Sequence, residues 1–503
     1  MSAPRGSTLL AAGVAGVLLG LAWASPRQVP YDMDEFAHYQ PLGCLAHPLS
    51  REHNLRRESC GAYDLRLPGT SVFLPLRSYL YIGSLPVLPY LPFWLLVRDP
   101  VSVRLQGAVF FALALYLLSL LAEARGEAVL LGSLLFPLFP FLFLQDLGPN
   151  GLTILLDLLG LLLVREALRR RAPALFALSG LVLFLGIFAK PVFALYLPAL
   201  ALFALREVKE GAPVPRAGSL LLFLLALGLP TSALLLARDH GGNAYFRMIG
   251  RGSLSASPGS IGEVLSSMAG YLTSASRVAP RTLTIPGNPL DILPLAFLVI
   301  LVGPRVVKEG PWGRTTCFLG MAGLTFLLTL GVGAASEPHH FAFTMTPLVL
   351  ALVSALAEGA TPFRRLAALG CAAVLLSLAF RFPKGRVEPD TSFEKDRLLA
   401  VLRRSGLGSH SVQVHASWGT YYIAHLFGDP QEAVVALDAF GAPGGDLEEI
   451  ASFARRERRD LVLVAQKDPK DAQALSPQWG RPRRSESFGE WSLTLFSPGE
   501  GGI

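Results

Sequence analysis

Apolar runs of roughly 16 to 22 residues recur from Thr8 to Phe380, long enough as helices to cross about 30 Å of hydrocarbon at 1.5 Å per residue. After Arg381 they stop. Backbone in lipid must satisfy its own hydrogen bonds, so such runs leave little choice but a bundle of helices. With 52% hydrophobic and 16% charged residues among 503, the chain is far more apolar than a soluble protein of ordinary usage. The spans read as 8–25, 104–122, 128–145, 150–164, 174–189, 191–206, 218–237, 290–304, 316–335, 341–357 and 366–381, about eleven crossings.

Charge orients them. With the N-terminus inside, "REALRRR" (Arg165 to Arg171), "REVKEGAPVPR" (Arg206 to Arg216), "PRVVKEGPWGR" (Pro304 to Arg314) and "TPFRR" (Thr361 to Arg365) all face the cytoplasm. The net charge of +7 comes from these short clusters between apolar runs, not from one basic face, so nucleic acid is not the expected partner. Three larger pieces lie outside: Ser25 to Val103, Arg238 to Pro289, and everything after Arg381. The first run also has signal-peptide features, Arg5 before it and "AWAS" at its end, but an uncleaved span is the preferred reading. The chain carries no Asn-x-Ser/Thr sequon, which favours a bacterial inner membrane, with the tail periplasmic or extracellular.

Cys44 and Cys60 both fall in the first outside loop, where a disulfide and a pair of small apolar thiols are equally compatible with the sequence. Cys317 and Cys371 sit in apolar runs and are read as packing residues. The segment "PLRSYLYIGSLPVLPYLPFWLLV" (Pro75 to Val97) is apolar but carries Pro75, Pro86, Pro89 and Pro92. It reads as a re-entrant or interface-lying stretch, because a crossing would lose backbone donors and would flip the later basic loops outward.

The chain divides into a membrane domain, 1–381, and a soluble tail, 382–503. Within the first, 25–103 and 238–289 are the large outside loops. In the tail, "DTSFEKDRLLAVLRRSG", "WGTYYIAHLFG" and "DLEEIASFARRERR" predict helices, and "SVQVHA", "AVVAL" and "DLVLVAQ" predict strands. Their alternation predicts a partly parallel α/β sheet, and the lack of a glycine-rich phosphate loop speaks against a nucleotide site.

The polar residues of interest begin with "VPYDMDEFAHYQ", Val29 to Gln40, just after the first run. Asp32 and Glu35 fit a capping box at a helix start. That leaves Asp34 and His38, spaced i and i+4, and Glu35 and His38, spaced i and i+3, on one helical face. A carboxylate beside an imidazole can take a proton from an acceptor or ligate a divalent ion, so capping and chemistry both remain open on spacing alone.

Taken in order, several segments resemble those of the C-type glycosyltransferases that use polyprenyl-phosphate sugars, a superfamily including protein O-mannosyltransferases and lipid A aminoarabinose transferases. They are the Asp34-Glu35 pair, "RSYLYIGSL" (Arg77 to Leu85), "VSVRLQGAVFFAL" with Arg104, "FLQDLGPNGLTILL" with Asp146, "GLVLFLGIFAKPVFALYLPAL" with Lys190, and "EPHHFAFTMTPLVLAL" with His339 and His340. Two departures stand out: Phe341 and Ala342 replace the family's Arg-Tyr, and the Pro-Pro of the first loop is lost.

The resemblance implies a polytopic α-helical membrane protein with the C-type glycosyltransferase fold and a small extracytoplasmic α/β domain. It implies an inverting transfer from a polyprenyl-phosphate-linked sugar to a lipid, glycan or protein acceptor. It assigns Asp34 and Glu35 to catalysis, to which the spacing adds His38, and Lys190, Arg104, His339 and His340 to the donor phosphate, with Asp146 at a second acidic, metal or acceptor site. No cofactor follows from the sequence, although a divalent cation at the acidic pair is compatible with it. Arg238, Arg247 and Arg251 in the second outside loop read as a solvated basic face. A transporter of a lipid-linked saccharide, or a non-catalytic envelope-assembly subunit, are the rival readings; the first would place ionisable residues near the midplane and show paired repeats.

Overall fold

The computed structural model describes residues 34–46, 62–66, 73–79, 82–136, 138–144, 148–236, 293–331, 342–359, 362–371, 395–404, 411–416, 418–428, 433–436, 445–466, 479, 482–488 and 491–496. It is mostly helical, with a three-stranded and a five-stranded sheet. The chain forms two compact units: residues 1–29 and 103–387 in one, residues 30–102 and 388–503 in the other. The first outside loop thus belongs to the same unit as the tail.

The helical unit is built from α4 (Val101–Ala122), α5 (Gly126–Leu134), α6 (Leu138–Leu144), α7 (Asn150–Arg170), α8 (Pro173–Ala189), a 3₁₀ turn (Pro191–Tyr196), α9 (Leu197–Lys209), α10 (Ala217–Leu236), α11 (Leu293–Glu309), α12 (Arg314–Gly331), α13 (Ala342–Glu358) and a helix over 362–371. α8 packs on α7 and α10, and α12 on α9 and α13. Helices therefore occupy most of the apolar runs among the described residues. Among the described residues, Val101–Ala122 and the continuous stretch Pro191–Lys209 are long and apolar enough to cross a membrane. Other apolar helices are shorter, and the run at 8–25 lies outside the described residues.

The run read as one span over 128–145 is two helices, α5 and α6. Pro137 lies between them, and proline in a helix both removes a donor and crowds the preceding turn. On α10 the exposed large hydrophobic residues are leucines, Leu220, Leu221, Leu222, Leu224, Leu225 and Leu229. A contiguous apolar face of this kind is ordinary in lipid and an aggregation hazard in water.

The last carbonyls of α4 have no partners within their own helix. Two arginines from other helices supply them. Arg165 of α7, buried along its whole length, donates from Nη1 to Leu120 O at 3.0 Å and Leu121 O at 3.1 Å. Arg314 of α12 donates to Ala122 O at 2.8 Å and to Glu123 Oε2 at 3.0 Å. Glu123, at a positive φ of 52° just past the helix, also lies 3.8 Å from Arg165 and 3.4 Å from Arg169. Partial burial pushes the Glu123 carboxyl up, but Arg314, Arg165 and Arg169 together hold it below its ordinary value of 4.5.

The other unit joins two distant pieces of chain. From the first loop come α1 (Asp34–Ala37), α2 (Gln40–Ala46), strands β1 (Ala62–Arg66), β2 (Phe73–Tyr79) and β3 (Ile82–Gly83) in an antiparallel sheet, and α3 (Val87–Leu96). The segment over 75–97 is thus strand followed by a short helix. The tail supplies α15 (Lys395–Arg404, the helix over 362–371 being α14), β4 (Ser411–His415), α16 (Trp418–Phe427), β5 (Ala433–Ala436), α17 (Gly445–Arg456), β6 (Asp460–Gln466), β7 (Pro482–Phe488) and β8 (Trp491–Phe496).

The strand order in the tail is β5-β4-β6-β8-β7, with β4 parallel to both neighbours and β8 antiparallel to β6 and β7. α16 and α17 are the crossovers that parallel strands require. One sheet face is the apolar core, where Val412, Val414, Val435, Leu461 and Leu463 meet Ile450 and Phe453 of α17. Alternation sends Gln413 and His415 of β4 to the opposite face, where both are buried and His415 Nε2 lies 3.2 Å from Gln413 Oε1. β7, "PRRSESF", is an exposed edge strand whose charges discourage pairing with another chain.

Arg165→Ala takes the arginine donor from Leu121 O, leaves Leu120 O with the 3.4 Å bond from the Glu123 N–H, and removes a buried side chain. It is expected to lower the thermal midpoint of the purified chain by several degrees, as loss of about 1–3 kcal/mol would. An unchanged melting curve would show that the clamp is dispensable. Burial also pushes the His415 imidazole down from its ordinary 6.5 to about 3. The folded state therefore refuses a proton that the unfolded chain accepts below 6.5, so His415 costs stability progressively as pH falls from 6.5 toward 3. His415→Gln is expected to flatten the fall in melting temperature between pH 7 and pH 5, read by scanning fluorimetry.

Candidate functional site

Residues of the acidic segment fold as a broken helix. α1 covers four residues and ends at Ala37; the Tyr39 N–H bonds to Phe36 O at 2.9 Å, and the chain restarts as α2 at Gln40. Proline in the second position of α2 explains the break, because Pro41 has no N–H to give Ala37 and restricts Gln40. The continuous helical register that would carry Asp34, Glu35 and His38 on one face therefore stops before His38. Asp32 and the capping box lie outside the described residues, as does the side chain of Asp34, whose backbone opens α1.

Glu35 and His38 are fully buried. The His38 ring lies 3.9 Å from that of Tyr39, and Tyr39 4.1 Å from Tyr90 of α3, centroid to centroid. The Tyr90 hydroxyl shares a 2.6 Å hydrogen bond with Ser102 Oγ. On the tail side, Phe36 meets Phe427 edge to face at 5.9 Å, and Trp94 Nε1 donates to Leu426 O at 3.1 Å. Gly43 lies so close to His425 that an added Cβ would stand 2.0 Å from the ring, which itself stacks on Tyr421 at 5.0 Å. The acidic segment is thus held by α3 of its own loop and by α16 of the tail. No sequence pattern foretold that pairing.

In the helical unit, Gly148 at φ 68°, a left-handed value that glycine adopts without strain, precedes α7. At the start of α7, Lys190 Nζ donates to Asn150 Oδ1 at 2.9 Å, and both residues are buried. Lys190 therefore does not snorkel to an aqueous interface. It faces the N-terminal end of a helix, where the backbone dipole is positive, so cation and helix end converge on a place that favours an anion. Arg104 of α4 is buried as well. Asp146, His339, His340, Arg238, Arg247 and Arg251 lie outside the described residues, and so do the Cys44 side chain and Cys60. Cys317 and Cys371 are buried free thiols, as packing residues would be. Among the described residues no cluster of three or more His, Cys, Asp or Glu is placed to hold a metal.

One polar residue escaped the sequence reading. Asp157 sits in the middle of "GLTILLDLLGLLL" on α7 and is fully buried. The signal was available, since an acidic residue inside an apolar run is a functional candidate by default. Its carboxyl faces the hydroxyls of Tyr196, at the end of the 3₁₀ turn, and Thr346 of α13.

No protein-family model matches the chain, and no curated protein matches it. Among solved structures, it is similar to the single-particle cryo-EM structure of arabinofuranosyltransferase AftD from Mycobacteria, with a TM-score of 0.51 and 15% identity over 97% of this chain. A second structure, of a mutant of that enzyme, gives a TM-score of 0.50 and 15% identity over 98% of this chain. The chain spans 40% and 41% of those proteins' lengths. At such identity the likeness shows a shared fold.

Contact of α2 with α16 makes Gly43 a sensitive position. Gly43→Ala is expected to destabilise the purified chain by about 1–3 kcal/mol, the usual cost of overpacking, read as a lower thermal midpoint. Removing the obstructing ring with His425→Ala in the same chain should recover part of that loss. A double variant no better than the sum of the singles would break the assignment of the clash.

Proposed function

We propose that the chain is a membrane glycosyltransferase that takes a sugar from a polyprenyl-phosphate-linked donor. The acceptor is an extracytoplasmic lipid, glycan or protein, reached at the outer face of a bacterial inner membrane, and the anomeric configuration inverts. The observation that carries this reading is the buried Lys190 at the N-terminal end of α7, a ready partner for a lipid-borne phosphate. The ordered motif resemblance and the fold shared with an arabinofuranosyltransferase structure support it.

The chemistry needs few parts. Asp34, or Asp34 with Glu35, takes the proton of the acceptor hydroxyl or amine as its oxygen or nitrogen attacks the anomeric carbon. The bond from that carbon to the phosphate oxygen breaks, its electron pair leaves with the phosphate, and Lys190 and Arg104 stabilise the charge that develops. Phosphate on a polyprenol is already a good leaving group, so orientation and electrostatics carry much of the rate. On the resemblance, His339 and His340 are assigned to the donor phosphate and Asp146 to a second acidic, metal or acceptor site, with His38 beside the acidic pair in the sequence.

Asp157 favours the transporter reading, since it places an ionisable residue well inside the helical unit rather than at its outer edge. The two readings separate in purified protein. A glycosyltransferase forms a new glycosidic bond from a polyprenyl-phosphate sugar in detergent, where a transporter has nothing to accomplish.

Asp34→Asn keeps size and polarity but removes the base, so transfer is expected to fall by a factor on the order of 10² or more at unchanged protein level. Asp32→Asn should be mild, because asparagine caps about as well as aspartate. Transfer at the normal rate by Asp34→Asn would place the base elsewhere. Mass spectrometry of envelope glycans and lipids with and without the gene identifies sugar and acceptor.

A further inference from the structure

Asn150 and Asp157 lie on one face of α7, two turns apart, and each meets a residue of the short segment that follows α8. Asn150 accepts from Lys190, the residue before the 3₁₀ turn; Asp157 faces Tyr196, the last residue of that turn. The lengths agree. Seven residues of α-helix rise about 10 Å, and six residues of 3₁₀ helix about 12 Å, so the Asn150–Lys190 and Asp157–Tyr196 pairs are spaced alike along the two segments.

The turn is confined on its other sides too. Phe193 packs over Gly186 of α8, where an added Cβ would stand 2.6 Å from the ring, and meets Phe343 of α13 edge to face at 5.4 Å. Phe193 and Tyr196 are both fully buried. Neither carboxylate oxygen of Asp157 and not the Tyr196 hydroxyl meets full hydrogen-bond geometry among the described residues. Thr346 bonds back to Ala342 O at 3.2 Å, so its proton is engaged in its own helix. A buried acid flanked by two hydroxyls, with no opposing cation beside it among the described residues, is poorly explained as packing.

We propose that Asp157 is a positioning residue: through Tyr196 it fixes the inner end of the 3₁₀ turn and so sets the height and direction from which Lys190 meets an anion at the start of α7. The inference rests on the reading of Lys190 as the contact for a polyprenyl phosphate. Asp157 touches no reacting atom. It acts on the lysine through six residues of backbone, and the loss of its partner lets the turn shift against α7.

Tests use the full chain in detergent micelles, with undecaprenyl phosphate as the probe and its thermal stabilisation of the protein as the readout. Tyr196→Phe removes one oxygen and keeps the ring, so it tests the contact without a large change in volume. It is expected to weaken binding about tenfold, as is Asp157→Leu, while Asp157→Asn, which can still meet the hydroxyl, stays within about threefold of the unaltered chain. Lys190→Ala abolishes binding, and adding Tyr196→Phe to it causes no further loss, because the two act on one contact.

If Lys190→Ala binds normally, the phosphate reading fails and this inference falls with it. If Lys190→Ala loses binding while Tyr196→Phe and Asp157→Leu bind as before, the phosphate reading stands and the positioning role is refuted. Unequal behaviour with equal melting temperatures supports positioning over general destabilisation; binding losses that merely track melting temperature overturn it. Should Asp157→Leu fail to accumulate, Tyr196→Phe and Asp157→Asn decide the matter.

Discussion

Arg165 is the side chain on which the helical unit most depends. A helix ends with carbonyls it cannot satisfy, and at the end of α4 these are taken by guanidinium groups from α7 and α12. One residue of α7 thereby fixes the end of α4, and Arg314 ties α12 to the same point. Glu123 then balances the positive charges that converge there. Such a clamp ties three helices together at one point. The opposite end of α7 carries the Lys190–Asn150 pair, so the position of that pair is inherited from this clamp through a single straight helix.

Much of the helical unit was legible because hydrophobic runs announce helices. The errors have local causes. Proline splits the run at 128–145 and interrupts the acidic segment at Pro41, and both breaks could be read from the sequence once proline's missing donor is taken seriously. The strands and helices of the tail up to β6 follow from alternating patterns. β7 has no apolar face to detect, since an edge strand such as "PRRSESF" is kept polar to avoid aggregation.

The candidate site was legible as residue types and opaque as partnerships. Lys190 was marked by the resemblance, but its burial against Asn150 was not. Asp157 was passed over because a single charge hardly dents the hydropathy of a run. The association of Trp94 with Leu426, or of Gly43 with His425, joins residues more than three hundred positions apart and leaves no periodic trace. A fold shared at 15% identity shows how far such partnerships can be rebuilt from different residues, which is why the likeness speaks to architecture and the chemistry rests on side chains.

The order of synthesis gives the two-piece unit a further property. Residues 30–102 leave the ribosome before the helical unit and residues 388–503 after it, yet they build one compact body. Until α16 is made, the acidic segment lacks the helix that braces it. The unit is therefore a closure that waits on a segment made more than three hundred residues later. A nascent chain that ends before α16 would carry the acidic segment unbraced, so the packing of that segment doubles as a record that the intervening helical unit has been made.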